Sequence, residues 1–164
     1  MKPERGFTIV EVITAFFLVS MGILGAFALI EKVATGTAAS LSRLTAASLV
    51  KEGIEITRNM RDSNLLKLNQ GQGGAWNDGL TSCAAGCEID YNDASFSPYG
   101  GTFLKSTGTF YAYDSGQDTK FQRKITITPL TPYMVSVVVD VFWTERGRNL
   151  SFEAATQLFN WYSF

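Results

Sequence analysis

The sequence predicts an α+β fold, a long N-terminal helix packed on a C-terminal antiparallel β-sheet, and three observations predict it. Residues 7–30 form an apolar run interrupted by one charge, Glu11. Residues 31–62 continue without proline and carry apolar positions at helical spacing. The last third alternates apolar and polar side chains with the two-residue period of strands. A helical stretch followed by a run of strands, with no α/β alternation between them, is the order expected of an α+β domain.

The 24 residues from 7 to 30 rise by about 1.5 Å each as a helix and so cross a hydrocarbon core of about 30 Å. A secretory signal has a shorter apolar stretch, about 7–15 residues, and then a small-residue cleavage site, so this run is too long for one. Lys2 and Arg5 precede it and favour a cytoplasmic N-terminus, with the bulk of the chain outside. Glu11 within it is costly, on the order of 2.5–3.5 kcal/mol at a helix centre and less near an end. No Lys or Arg lies in the run to pair with it, so its partner comes from elsewhere. A free α-amino group on Phe7 of one chain, made by cutting after Gly6, would meet that need in an apolar bundle by pairing with Glu11 of a neighbour.

The short leader Met1-Lys2-Pro3-Glu4-Arg5-Gly6, followed by Phe7 and by a glutamate at the fifth position after Gly6, resembles the class III signal of type IV prepilins. The resemblance implies a leader of residues 1–6 removed between Gly6 and Phe7 by a prepilin peptidase, N-methylation of Phe7 by the same peptidase/methyltransferase, and assembly of the apolar helix, residues 7–30, into a filament with other pilin-like subunits, with Glu11 setting register. It also implies a pilin-like fold, an inner-membrane assembly platform as a further partner, and membrane lipid around the helix before assembly. The expected location is the cytoplasmic membrane, then a cell-surface or periplasmic filament. Within this class a minor pilin is preferred, with a type II secretion pseudopilin as the alternative. A different alternative is an uncleaved, membrane-anchored extracellular binding module.

Residues 31–164 then form the extracytoplasmic α+β domain. The helix is expected to continue to about residue 62, giving one helix of about 55 residues. Ala46, Leu49, Val50, Gly53, Ile54 and Thr57 make one stripe, and Arg43, Lys51, Glu55 and Arg58 lie mostly away from it. Asp62-Ser63-Asn64 reads as its end. Residues 65–101, with seven glycines and many polar side chains, read as an irregular region that the resemblance makes the variable one. Its aromatics Trp76, Tyr91, Phe96 and Tyr99 either pack the loop onto the sheet or bind a sugar or a neighbouring subunit.

Residues 102–164 supply the sheet. Short strands are expected at 103–104 and 110–113, and a longer one at 121–128 with Phe121, Ile125 and Ile127 on one side. The clearest strand is 133–144, with Tyr133, Val135, Val137, Val139, Val141 and Trp143 on the face that should meet the helix stripe. Glu145-Arg146-Gly147-Arg148 turns the chain, and Leu150, Phe152, Ala154 and Leu158 return it as an antiparallel hairpin.

The two cysteines, Cys83 and Cys87, form a disulfide if the domain lies in an oxidising compartment, and are free thiols otherwise. A bridge over so short a loop should shape a surface feature. Zinc is poorly supported, since there is no histidine and there are only two thiols. Removing the leader takes two of 14 basic and one of 15 acidic residues and leaves 12 against 14, which indicates no general attraction to nucleic acid; a local basic patch would be needed for one. The absence of histidine, of a phosphate loop and of a nucleophile elbow points away from an enzyme, and no cofactor is expected. Asp114 and Asp118, in Asp114-Ser115-Gly116-Gln117-Asp118, are weak calcium candidates in what reads as an ordinary turn, because calcium takes six to eight oxygens and the EF-hand spacing is missing.

Overall fold

A computed structural model describes residues 6–161; the leader positions 1–5, with Lys2 and Arg5, lie outside the described residues. It shows the expected α+β, pilin-like arrangement of one long N-terminal helix and an antiparallel sheet. The chain divides into two compact units, Met1–Leu41 and Ser42–Phe164.

In the first unit the helix α1 (Ile9–Asn69) begins, and every side chain from residue 6 to residue 34 is exposed. Gly22, Gly25 and Gly36, each a weak point of about 1 kcal/mol relative to alanine, do not interrupt it. The helix is long and apolar enough to cross a membrane.

In the second unit the same helix buries Ser42, Ala46, Leu49, Val50, Gly53 and Thr57, with Ile54 partly covered, which is the expected stripe. Gly53 allows a close approach: a Cβ there would lie 3.0 Å from Val139 Cγ1, 3.2 Å from Arg123 Cδ and 3.3 Å from Ile125 Cδ1. Helix α1 ends about two turns beyond the expected Asp62. Two forces carry it on. Leu65 is buried against the core, and the side chain of Asn64, rather than stopping the helix, donates to the carbonyls of Trp76 and Asp78. The true stop is Gly71, at φ 71°: its N–H bonds to Leu68 O and that of Gln72 to Lys67 O, the paired bonds of a Schellman cap.

The irregular region therefore starts after Asn69 and contains a short 3-10 helix (Thr81–Cys83) and two short strands, β1 (Cys87–Glu88) and β2 (Ser97–Pro98). The remaining strands are β3 (Phe103–Ser106), β4 (Tyr111–Ala112), β5 (Gln117–Thr131), β6 (Met134–Glu145) and β7 (Arg148–Phe159). All pairings are antiparallel. Strand β5 is the hub: one edge takes β6, which continues to β7, and the other takes β3 near its start and β1 at Ile125.

The inner face is the alternation that the sequence predicts, with Val135, Val137, Val139, Val141 and Trp143 buried beside Phe121, Ile125 and Ile127. Tyr133 is the exception, exposed in the turn before β6. The β6–β7 hairpin closes on Glu145 and Arg148, with Arg146 at φ 53° and Gly147 at φ 73°; two successive positive φ values are the type I′ geometry that suits the sheet's twist. Near the start of α1's packed half, Lys120 Nζ donates to Ser42 Oγ at 2.7 Å and to Glu145 Oε2 at 3.1 Å, and Trp143 Nε1 donates to the same oxygen at 3.3 Å. This cluster ties α1, β5 and β6 together at the level of the hairpin.

Candidate functional site

The residues that carry the expected chemistry lie at the start of α1. Gly6, Phe7 and Thr8 are not helical, and the helix begins at Ile9. Thr8 is its N-cap: Thr8 Oγ1 accepts from the Glu11 N–H at 3.3 Å, and Thr8 O accepts the first helical bond, from Val12 N, at 3.2 Å. Thr8 and Glu11 stand three apart, the spacing of a capping box. Glu11 is therefore at the third helical position, where a carboxylate interacts favourably with the helix dipole. Phe7 is 82% exposed. Among the described residues, a Cβ on Gly6 would meet nothing within 4 Å. The sequence reading singled out Glu11, Gly6 and Phe7 but passed over Thr8, whose signal was the Thr-x-x-Glu pattern.

Cys83 and Cys87 are joined in a disulfide. It is not the surface feature expected from so short a loop, because both residues belong to the buried core and Cys87 begins β1, opposite Ile125. A loop this short stabilises by roughly 2 kcal/mol through closure entropy. Reduction is expected to lower the melting temperature by about 7 °C and to speed hydrogen exchange at Ile89, while the far-ultraviolet circular dichroism of α1 stays unchanged. Thermal melts with and without reductant check this.

The two calcium candidates have separate local partners. Asp114 accepts from Asn92 Nδ2 and Ser115 Oγ, while Asp118 sits in β5 opposite Lys105. No group of three or more His, Cys, Asp or Glu able to hold a metal ion occurs among the described residues.

The loop aromatics divide. Trp76 is buried and its Nε1 donates to Pro132 O, Phe96 packs on the core, and Lys124 Nζ sits 5.6 Å from the Tyr99 ring. Tyr91 stays 51% exposed, its ring 5.0 Å from that of Phe110, itself 54% exposed. Tyr91 rims a groove of about 270 Å³ formed with Asn59, Ser63, Lys67 and Asp93.

A buried polar network, not expected from the sequence, centres on Arg123. Arg123, on the inner face of β5, is fully buried; Nη2 donates to Ile89 O at 2.6 Å and Nη1 to Leu49 O at 3.2 Å. Glu52 Oε1 lies 3.2 Å from Nη1, close enough for an ion pair but not aligned as a hydrogen bond. Asp90 accepts from the amides of Asn92 and Tyr113, and Glu88 from those of Gly100 and Thr102.

Tyr113 is held in the same network, its hydroxyl donating to Arg123 O at 3.4 Å. Burial chiefly pushes its phenol up from 10.0 to about 12, with Arg123 opposing and Glu88 adding. A pKa raised on folding contributes stability that is complete below pH 10 and lost as pH climbs toward 12. The loss is expected to reach about 2–3 kcal/mol. Denaturant titration across that window, with Tyr113→Phe removing this slope, checks it.

Against known proteins, the family model described as the prokaryotic N-terminal methylation motif matches residues 1–27. That match indicates a type IV prepilin-like protein, points to a structural subunit rather than an enzyme, and with the N-terminal apolar helix, the one among the described residues long and apolar enough to cross a membrane, indicates membrane anchoring. It implies processing by a prepilin peptidase and assembly with other pilins. No curated protein and no solved structure matches the chain.

Proposed function

We propose that this type IV prepilin-like chain is a minor structural subunit of a type IV pilus-like filament. The observation that carries the reading is the methylation motif over residues 1–27, joined to a helix that starts at Ile9 and whose side chains are exposed as far as residue 34. An apolar surface of that size is covered by lipid before assembly and by neighbouring helices afterwards. Cutting between Gly6 and Phe7 supplies an ammonium, N-methylated, that pairs with Glu11 of the adjacent subunit and sets its register. The chain starts with its N-terminus in the cytoplasm and its domain outside, and passes through the assembly platform into the filament.

A minor position is supported by the long region between Asn69 and β3, which carries the exposed Tyr91 and the polar groove beside it. A repeating shaft subunit has less use for such a feature. The same exposed pair, Tyr91 and Phe110, is what favours the second reading, an uncleaved anchored binding module.

The N-terminal peptide mass of the chain from its host, taken from membranes and from sheared surface material, separates the two. N-methyl-Phe7 in the sheared fraction is the expected result. A chain that begins at Met1 and never leaves the membrane fraction supports the anchored module instead.

A further inference from the structure

We propose that Thr8 is a positioning residue for leader removal: as the N-cap of α1 it holds the Gly6–Phe7 bond outside the helix, where its backbone is free for a peptidase to grip. The inference rests on the prepilin reading above and concerns the substrate's share of the reaction.

In a helix the amide and carbonyl of each peptide unit face along the axis and are engaged in bonds four residues away, so the carbonyl is not presented to a nucleophile. Cleavage therefore needs the bond on the non-helical side of a boundary. In this chain the boundary falls immediately after it: Gly6 and Phe7 are non-helical and Ile9 is the first helical residue. Thr8 defines the boundary twice, through Oγ1 accepting from Glu11 N–H and through its carbonyl accepting from Val12 N–H. A capping side chain works by favouring a non-helical backbone at its own position, which stops the helix from growing toward the N-terminus.

Gly6 reinforces the same outcome from the other side, since glycine disfavours helix. Phe7 is bracketed between two residues that each keep it out of the helix. The capping-box spacing also couples the cut to assembly. The hydroxyl that exposes the bond holds the backbone of Glu11, the residue that receives the ammonium the cut creates.

The test uses the full-length chain in membranes with the prepilin peptidase of the source cell, comparing initial cleavage rates of wild type, Thr8→Val, Thr8→Ser and Thr8→Asp. Valine keeps the shape and removes the acceptor; serine and aspartate keep an acceptor and change the rest. Thr8→Val is expected to slow cleavage about two- to thirty-fold, the range that loss of an N-cap supports, with Thr8→Ser and Thr8→Asp within about twofold of wild type. In detergent micelles, the 13Cα shifts of Gly6 and Phe7 should move toward helical values in Thr8→Val alone. Cleavage of Thr8→Val at the wild-type rate overturns the proposal. So does a slow Thr8→Val whose helix start has not moved, or slow serine and aspartate variants, since the peptidase would then be reading threonine itself. A wild-type chain that is not cut at all removes the prepilin reading and this inference with it, which a cut wild type with an unaffected Thr8→Val does not.

Discussion

Glu11→Ala is expected to lose its leader at the normal rate and yet to enter filaments at least tenfold less often than the wild-type chain. Glu11 meets two environments. In the lone anchored subunit Glu11 is exposed near the start of α1, with its backbone amide held by Thr8, and removing its charge gives up only a helix-dipole interaction of about 0.3–1 kcal/mol, offset by the cost of a charge in a membrane segment. In the proposed filament the same carboxylate faces the Phe7 ammonium of a neighbour inside an apolar bundle. Deleting one partner of a buried pair strands the other at roughly 3–5 kcal/mol, which is about two to three and a half decades in an equilibrium. The ammonium exists only after cleavage, so an uncut neighbour offers no partner and is passed over by the same energetics. Quantifying the chain in sheared and membrane fractions, with the N-terminal mass confirming processing, reads the effect directly. A processed Glu11→Ala chain at wild-type abundance in the sheared fraction would sink the register role.

What the sequence made legible, and what it hid, follows from how each feature is encoded. The apolar run and the valine alternation of β6 are periodic over many residues, so single exceptions such as Tyr133 do not erase them. The end of α1 was misplaced because Ser63-Asn64 is locally a stop, while the deciding terms are the burial of Leu65 and the cap at Gly71, one tertiary and the other beyond the apparent end. Strands β1 and β2 have two residues each and thus no period to detect. The burial of the Cys83–Cys87 bridge is set by β1 joining β5, a contact that loop length does not report. At the N-terminus, Glu11 stands out because a charge in an apolar run is rare. Thr8 does not, because hydroxyls are common there: Thr14 and Ser20 merely bond back to the preceding turn. Arg123 was hidden for the opposite reason. Its position between Phe121 and Ile125 places it on the buried face, but a guanidinium is ordinarily assigned to solvent.

Arg123→Ala is expected to destabilise the domain by about 3 kcal/mol, lowering its melting temperature by about 10 °C. One buried side chain joins three segments that are far apart in sequence: α1 through Leu49 O and Glu52, its own strand β5, and the stretch after β1 through Ile89 O. Truncation opens a cavity and leaves the Ile89 carbonyl without its donor. Glu52 is 30% exposed, so water recovers part of what its carboxylate loses, which places the estimate at the low end of the cost of breaking a buried pair. The comparison that isolates the electrostatic share is Arg123→Met alone against Arg123→Met with Glu52→Met. Methionine fills much of the volume, so the single change strands Glu52, whereas the pair removes both charges and should recover at least half of the loss. Near-ultraviolet circular dichroism of the buried Trp76 and Trp143 follows the domain separately from the dominant helical signal. Melting of Arg123→Ala within 2 °C of wild type (roughly 1 kcal/mol or less) would show that the guanidinium is carried by the fold rather than holding it. A large drop accompanied by early proteolysis near residues 90–94 would locate the loss at the segment that carries Tyr91. The rigidity of that surface would then depend on Arg123, placed beneath it.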